Sequence, residues 1–65
     1  MAREDFIGKT IGQVSRTLGW WWTCTEEKFT TYGKRMTLVH KGKDIHLKLN
    51  KENIVTECYG TIFDV

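Results

Sequence analysis

Apolar residues recur along the first third of the chain with a helical period. Ile7, Ile11, Val14 and Leu18 are spaced four, three and four apart, which places them on one face of a helix. Thr10 precedes the stretch, with Gln13 three residues later. That pair forms a capping box, in which each side chain satisfies a backbone N–H left unpaired by the helix start. Gly19 follows Leu18, where helices commonly stop at a residue with positive φ. The pattern predicts a short helix over residues 11–18, preceded by a charged leader over residues 1–7. Eight residues are too few for an independent helix, so its apolar stripe must dock on the rest of the chain.

From Trp20 onward the vocabulary changes to β-branched and aromatic residues in short runs broken by turn residues. "WWWTCT" and "FTTY" read as strand with "EEK" as a turn, bulge or extension between them, and "GKR" reads as a turn. "MTLVH" and "IHLKL" are strands joined by the tight turn "KGKD". "NKEN" turns again, and "IVTECYGTIFDV" reads as one long strand with a bulge at Gly60. All connections are of hairpin length. The expected fold is α+β in a single small domain spanning residues 1–65. One short N-terminal helix packs on an antiparallel meander of about four strands over residues 20–65.

Alternation within the strands assigns a core. Ile45, Leu47 and Leu49 share one face, opposite His46 and Lys48. Ile11, Val14 and Leu18 from the helix join them. By the same period, Trp20 and Trp22 fall on the buried side and complete the core. Trp21 then falls on the uncovered face, where Val39, Tyr59 and Phe63 are its expected neighbours. An aromatic patch on the open side of a sheet is a common anchor for a partner.

Charge sharpens this picture. From Lys28 to Lys51 seven basic residues face one acid, Asp44, a balance of +6; the remainder holds three bases against seven acids, or −4. A basic middle of this kind steers a protein toward an acidic partner. The two cysteines, Cys24 and Cys58, suit a reducing compartment as ordinary thiols, with a single long-range disulfide between them as the alternative. The opening residues lack a basic segment followed by an apolar one, and no apolar run approaches the length of a membrane span. The expected location is cytoplasmic, away from membranes.

Catalytic signatures are missing. The chain contains no Gly-rich phosphate loop, nucleophile elbow or H-E-x-x-H motif. Cys24, His40, His46 and Cys58 are zinc-ligand types without the paired spacing of structural zinc sites. His40 and His46 flank the "KGKD" turn and are expected as an exposed cross-strand pair. The chain is therefore read as non-enzymatic, with no metal or cofactor.

The stretch "GKTIGQVSRTLG" supplies Gly8, Thr10, Val14, Leu18 and Gly19 in the pattern G-x-T-x-x-x-V-x-x-x-L-G. It resembles the opening helix of the helix-plus-meander modules of the SmpA/OmlA outer-membrane assembly lipoproteins and the β-lactamase-inhibitor-like proteins. That resemblance implies a helix followed by aromatic strands, and protein binding through the sheet. "TIGQVSRTLG", with Ser15 four residues before Gly19, also resembles helix-turn-helix readers of the MerR or excisionase kind. That second resemblance implies a recognition helix after the turn, with the basic hairpin as a wing on phosphates.

These features converge on a small binding protein, similar in style to inhibitors and regulators encoded by phages and other mobile elements, acting in the host cytoplasm by steric block. Basic residues of the 34–43 hairpin (Lys34, Arg35, Lys41 and Lys43) would steer the approach to an acidic protein surface, and Trp21 and Tyr32 would anchor it. The alternative is nucleic-acid binding by the same hairpin, as a wing or as a single-strand platform with Tyr32 or Trp21. Homodimerisation through the uncovered face or the C-terminal strand would use the same surface.

Overall fold

Local signals at the first helix are obeyed residue for residue. In the computed structural model, which describes residues 1–64, α1 runs Ile11–Leu18. The Gln13 amide donates to Thr10 Oγ1 at 3.2 Å, and Gln13 Oε1 accepts from the Thr10 amide at 2.9 Å. Gly19 closes the helix at φ +79°, its amide bonded to the Ser15 carbonyl. Val14 and Leu18 point into the core, with Ile11 at its margin.

Four strands follow: β1 (Trp22–Thr30), β2 (Gly33–His40), β3 (Lys43–Asn50) and β4 (Val55–Tyr59). They form one antiparallel sheet in the order β1-β2-β3-β4. "EEK" therefore lies inside β1 rather than in a turn. The first reversal falls at Thr31 and Tyr32, ahead of "GKR", because Gly33 already pairs with Thr30. Lys41 and Gly42 alone make the β2–β3 turn, both at positive φ (+50° and +80°), as a two-residue type I′ turn requires.

Both edge strands carry one extra residue. The register of β1 on β2 slips between Cys24 and Glu26, and that of β4 on β3 slips opposite Lys48 and Leu49. The bulged residues are Thr25 and Thr56. Each hydroxyl donates at 3.2 Å to a carbonyl of the neighbouring strand, Thr25 to Thr37 and Thr56 to Lys48. The slip in β1 reverses its alternation, so Cys24 and Glu27 share a side although their numbers differ in parity. Together with Glu26, Glu27 and Lys28, the bulge blunts an otherwise long free edge.

One face of the sheet is the core face. Met36, Leu38, Ile45, Leu47, Leu49, Val55 and Cys58 are buried there, together with Phe6, Val14, Leu18 and Ile62. Of residues 1–7, expected as a leader, Phe6 joins this core while the other six are exposed, Ile7 included. A 3-10 turn at Arg3–Asp5 delivers Phe6, which is fully buried and meets Phe63 edge-to-face with ring centroids 5.5 Å apart. The chain then bonds to β4, Gly8 N–H to the Val55 carbonyl at 2.8 Å and Val55 N–H to the Lys9 carbonyl at 2.9 Å. β4 is shorter than the expected C-terminal strand. Gly60 leaves the sheet at φ +144°, and Thr61–Phe63 form a second 3-10 turn that buries Ile62. Phe63 accordingly packs on the core side and not beside Trp21.

Cys24 is exposed on β1 and Cys58 is buried on β4, both as free thiols. The two strands are opposite edges of the sheet, about 14 Å apart at ordinary strand spacing, which excludes a bond between them in this fold. Burial pushes the Cys58 thiol above its usual pKa. Among the described residues no helix is long and apolar enough to cross a membrane.

Candidate interaction surfaces

The strand period that assigned the tryptophans applies only inside a paired strand, and β1 opens at Trp22. Trp22 lies opposite His40 on the core face. It is half-buried, and its indole Nε1 donates to Ser15 Oγ of α1 at 3.2 Å. Trp20 and Trp21 belong to the connection that Gly19 turns out of the helix. Trp20 is 95 % exposed and Trp21 73 %. The expectation of Trp20 in the core is thus overturned: with no strand partner, nothing directs its side chain inward. Ile11, Val14, Leu18, Trp22, Ile45, Leu47 and Leu49 do pack in or against the core.

The three indoles, Thr23 and Lys41 border one open concavity of about 530 Å³. Lys41 arrives there through the β2–β3 turn, at a left-handed φ that Gly or Asn adopts at lower cost. Lys43 begins β3 directly after this turn and is exposed. The remaining expected partner-binding residues lie elsewhere. Tyr32 sits in the β1–β2 turn, about 25 Å along the sheet at strand rise. Lys34 lies on the core side of β2, where its ammonium is 4.0 Å from Glu27. Arg35 is exposed on the opposite face. The six residues therefore divide among a tryptophan end (Trp21, Lys41 and Lys43), a distal turn (Tyr32), the core side of β2 (Lys34) and the open face (Arg35), rather than forming one platform.

The open face consists of cross-strand rows. One row runs Glu26, Thr37, His46 and Tyr59; the next runs Lys28, Arg35, Lys48 and Glu57. His46 Nε2 lies 2.8 Å from Asp44 Oδ2 and Nδ1 lies 3.2 Å from Thr37 Oγ1. A carboxylate only accepts, so the neutral ring carries its hydrogen on Nε2 and Nδ1 accepts from the Thr37 hydroxyl. The ring stacks on Tyr59 with centroids 4.7 Å apart and planes 14° from parallel. Asp44 is tied down by the Thr61 hydroxyl, the Thr61 amide and His46. These bonds hold its carboxyl well below the usual carboxylate range.

His40 and His46 are not a cross-strand pair. The two-residue turn sets His40 opposite Lys43 and His46 opposite Thr37, which puts the imidazoles on opposite faces. His40 is buried, its Nε2 donating to the Leu18 carbonyl at 2.9 Å. Among the described residues no three His, Cys, Asp or Glu side chains gather as a metal site. Residues after Gly19 form β1, where the helix-turn-helix resemblance implies a recognition helix.

The sequence places Lys48 and Tyr59 on the uncovered face, but not beside each other or beside Lys28. The alternation of β3 exposes Lys48, but only the register of the paired strands brings Lys28 and Tyr59 beside it. Compared with family models, curated proteins and solved structures, the chain finds no match in any of the three.

Proposed function

We propose that this chain is a small non-enzymatic binding protein that docks onto another protein through its tryptophan end and blocks it sterically. Trp20 and Trp21 enter an apolar pocket of the partner, while Lys41 and Lys43 steer the approach to an acidic rim. The observation carrying this reading is the exposure of Trp20 and Trp21 together, in a chain small enough to need every large apolar side chain for its core. Lys41 supports it. A lysine at left-handed φ costs about 1 kcal/mol that a glycine would not, so its value there is chemical rather than conformational. The resemblance of residues 8–19 to protein-binding helix-plus-meander modules points the same way. The style of the chain fits a phage or mobile-element regulator working in the cytoplasm.

The test is affinity capture from the native host, with nuclease added, comparing wild type with a Trp20→Ala/Trp21→Ala double variant and with Lys41→Asn. The double variant is expected to lose the captured protein while keeping its melting temperature. Lys41→Asn is expected to gain stability and weaken capture. Equal capture by all three proteins rejects the tryptophan end as the docking surface.

A further inference from the structure

The row Lys28–Arg35–Lys48 places three cations side by side on adjacent strands. Like charges directly opposite in a sheet destabilise it, and here the repulsion is only partly answered. Glu26 lies 3.0 Å from the Lys28 ammonium and Glu57 lies 4.0 Å from that of Lys48. Arg35, between the two lysines, has no carboxylate within ion-pair distance among the described residues. The face as a whole is balanced, with Glu26, Asp44 and Glu57 against the three cations. The signs are segregated, however: carboxylates lie at the margins and the guanidinium in the middle. Such a centre attracts one compact anion more strongly than an extended acidic surface, which would meet the rim carboxylates first.

Beside this centre stands an aromatic wall. Tyr59 is a diagonal neighbour of Lys48 across β3 and β4, is 59 % exposed, and is backed by His46. His46 is itself fixed by Asp44 and Thr37, so the wall is rigid before any ligand arrives. The cations and the wall, with Glu26 and Glu57 at its margins, border a shallow cavity of about 350 Å³, near the lower size of small-molecule sites; three cations against these two carboxylates leave it net positive. A planar guanidinium matches phosphate oxygens bidentately, and a tyrosine ring accepts a nucleobase by stacking.

We infer that the open face binds a nucleotide, its phosphate over Arg35 between Lys28 and Lys48 and its base against Tyr59. The same chemistry is presented by a free nucleotide and by a nucleotide within a single strand. This site lies on a different surface from the tryptophan end and does not depend on the protein-docking reading.

The test is amide-resolved NMR titration of the isotope-labelled full chain at low salt. Its probes are adenosine monophosphate, inorganic phosphate, a thymidine oligonucleotide of about eight residues and a polyglutamate peptide. Nucleotide is expected to shift the amides of Arg35, Thr37, His46, Lys48 and Tyr59, with phosphate alone binding more weakly. Arg35→Gln and Tyr59→Ala are each expected to weaken nucleotide binding about tenfold, with the remaining spectrum unchanged. If the oligonucleotide binds more tightly and its log affinity falls with log salt at a slope of about −0.7 or steeper, as for one or more neutralised phosphates, the source is a single strand. Equal affinity for the mononucleotide assigns a free nucleotide. Either result supports the site. Polyglutamate shifting the same amides with equal affinity overturns it in favour of an acidic protein surface. Absence of nucleotide-induced shifts on this face, or undiminished binding by Arg35→Gln, also overturns it.

Discussion

His40 and Leu18 join the end of α1 to the sheet: the imidazole Nε2 of His40 lies 2.9 Å from the Leu18 carbonyl oxygen, inside the core. The last carbonyls of a helix lack intrahelical partners, and a histidine donor there also complements the negative end of the helix dipole. His40→Phe keeps the ring volume but removes the donor, and is expected to cost about 1–2 kcal/mol. His40→Ala adds a cavity and is expected to cost about 2–4 kcal/mol. Urea unfolding of the two variants measures both, and a His40→Phe protein as stable as wild type would show that the bond contributes nothing.

The adjacent tryptophans separate in stability. Trp22 is half-buried and bonded to Ser15, so Trp22→Ala is expected to cost about 2 kcal/mol, below the loss at a fully buried aromatic site. Trp20→Ala touches no core contact and is expected to change stability by less than about 0.5 kcal/mol. Acrylamide quenching adds a second readout, since removing Trp20 should delete a fully accessible emitter and removing Trp22 a shielded one.

Asp44 makes part of the stability depend on pH. Its carboxylate is held low by the Thr61 hydroxyl first, then by the Thr61 amide and His46. Because the folded value lies below the unfolded one, the stabilisation is fully present above about pH 4 and is lost as pH falls through the folded value. Asp44→Asn is expected to be less stable than wild type at pH 7, with the difference shrinking in increasingly acidic buffer. Chemical denaturation across that range checks the sign, and a difference that stays constant down to pH 2 would contradict it.

Two glycines are expected to respond oppositely to a methyl group. At Gly60, φ is +144° and an added Cβ would run into the Asp44 carbonyl oxygen. Gly60→Ala should therefore cost about 2 kcal/mol or more and loosen the Thr61–Asp44 contact. At Gly12, inside α1, the nearest atom to an added Cβ is Thr10 Oγ1 at 3.8 Å. Gly12→Ala is expected to stabilise by about 0.5–1 kcal/mol. Thermal melts of the pair test both, and loss of stability in Gly12→Ala would mean that α1 is held by something other than its backbone preference.

The sequence by itself determined the features that depend on neighbours along the chain. Thr10, Gln13 and Gly19 bound α1 because capping is completed within four residues. Ile45, Leu47 and Leu49 share a face because β3 has no bulge and the period of a regular strand is two. Tertiary structure decided everything that depends on which atoms lie across from which. Trp20 is outside because the strand starts two residues later, a boundary set by pairing with His40. Phe6 is inside because β4 offers its backbone to Gly8 and Lys9. The two-residue turn at Thr31 and Tyr32 sets Lys28 opposite Arg35, and Arg35 pairs with Lys48. The bulges at Thr25 and Thr56 reset the edge strands beyond them, setting Trp22 opposite His40 and Tyr59 opposite His46. Local periodicity carries no information about such slips, since one extra residue reverses every side chain beyond it.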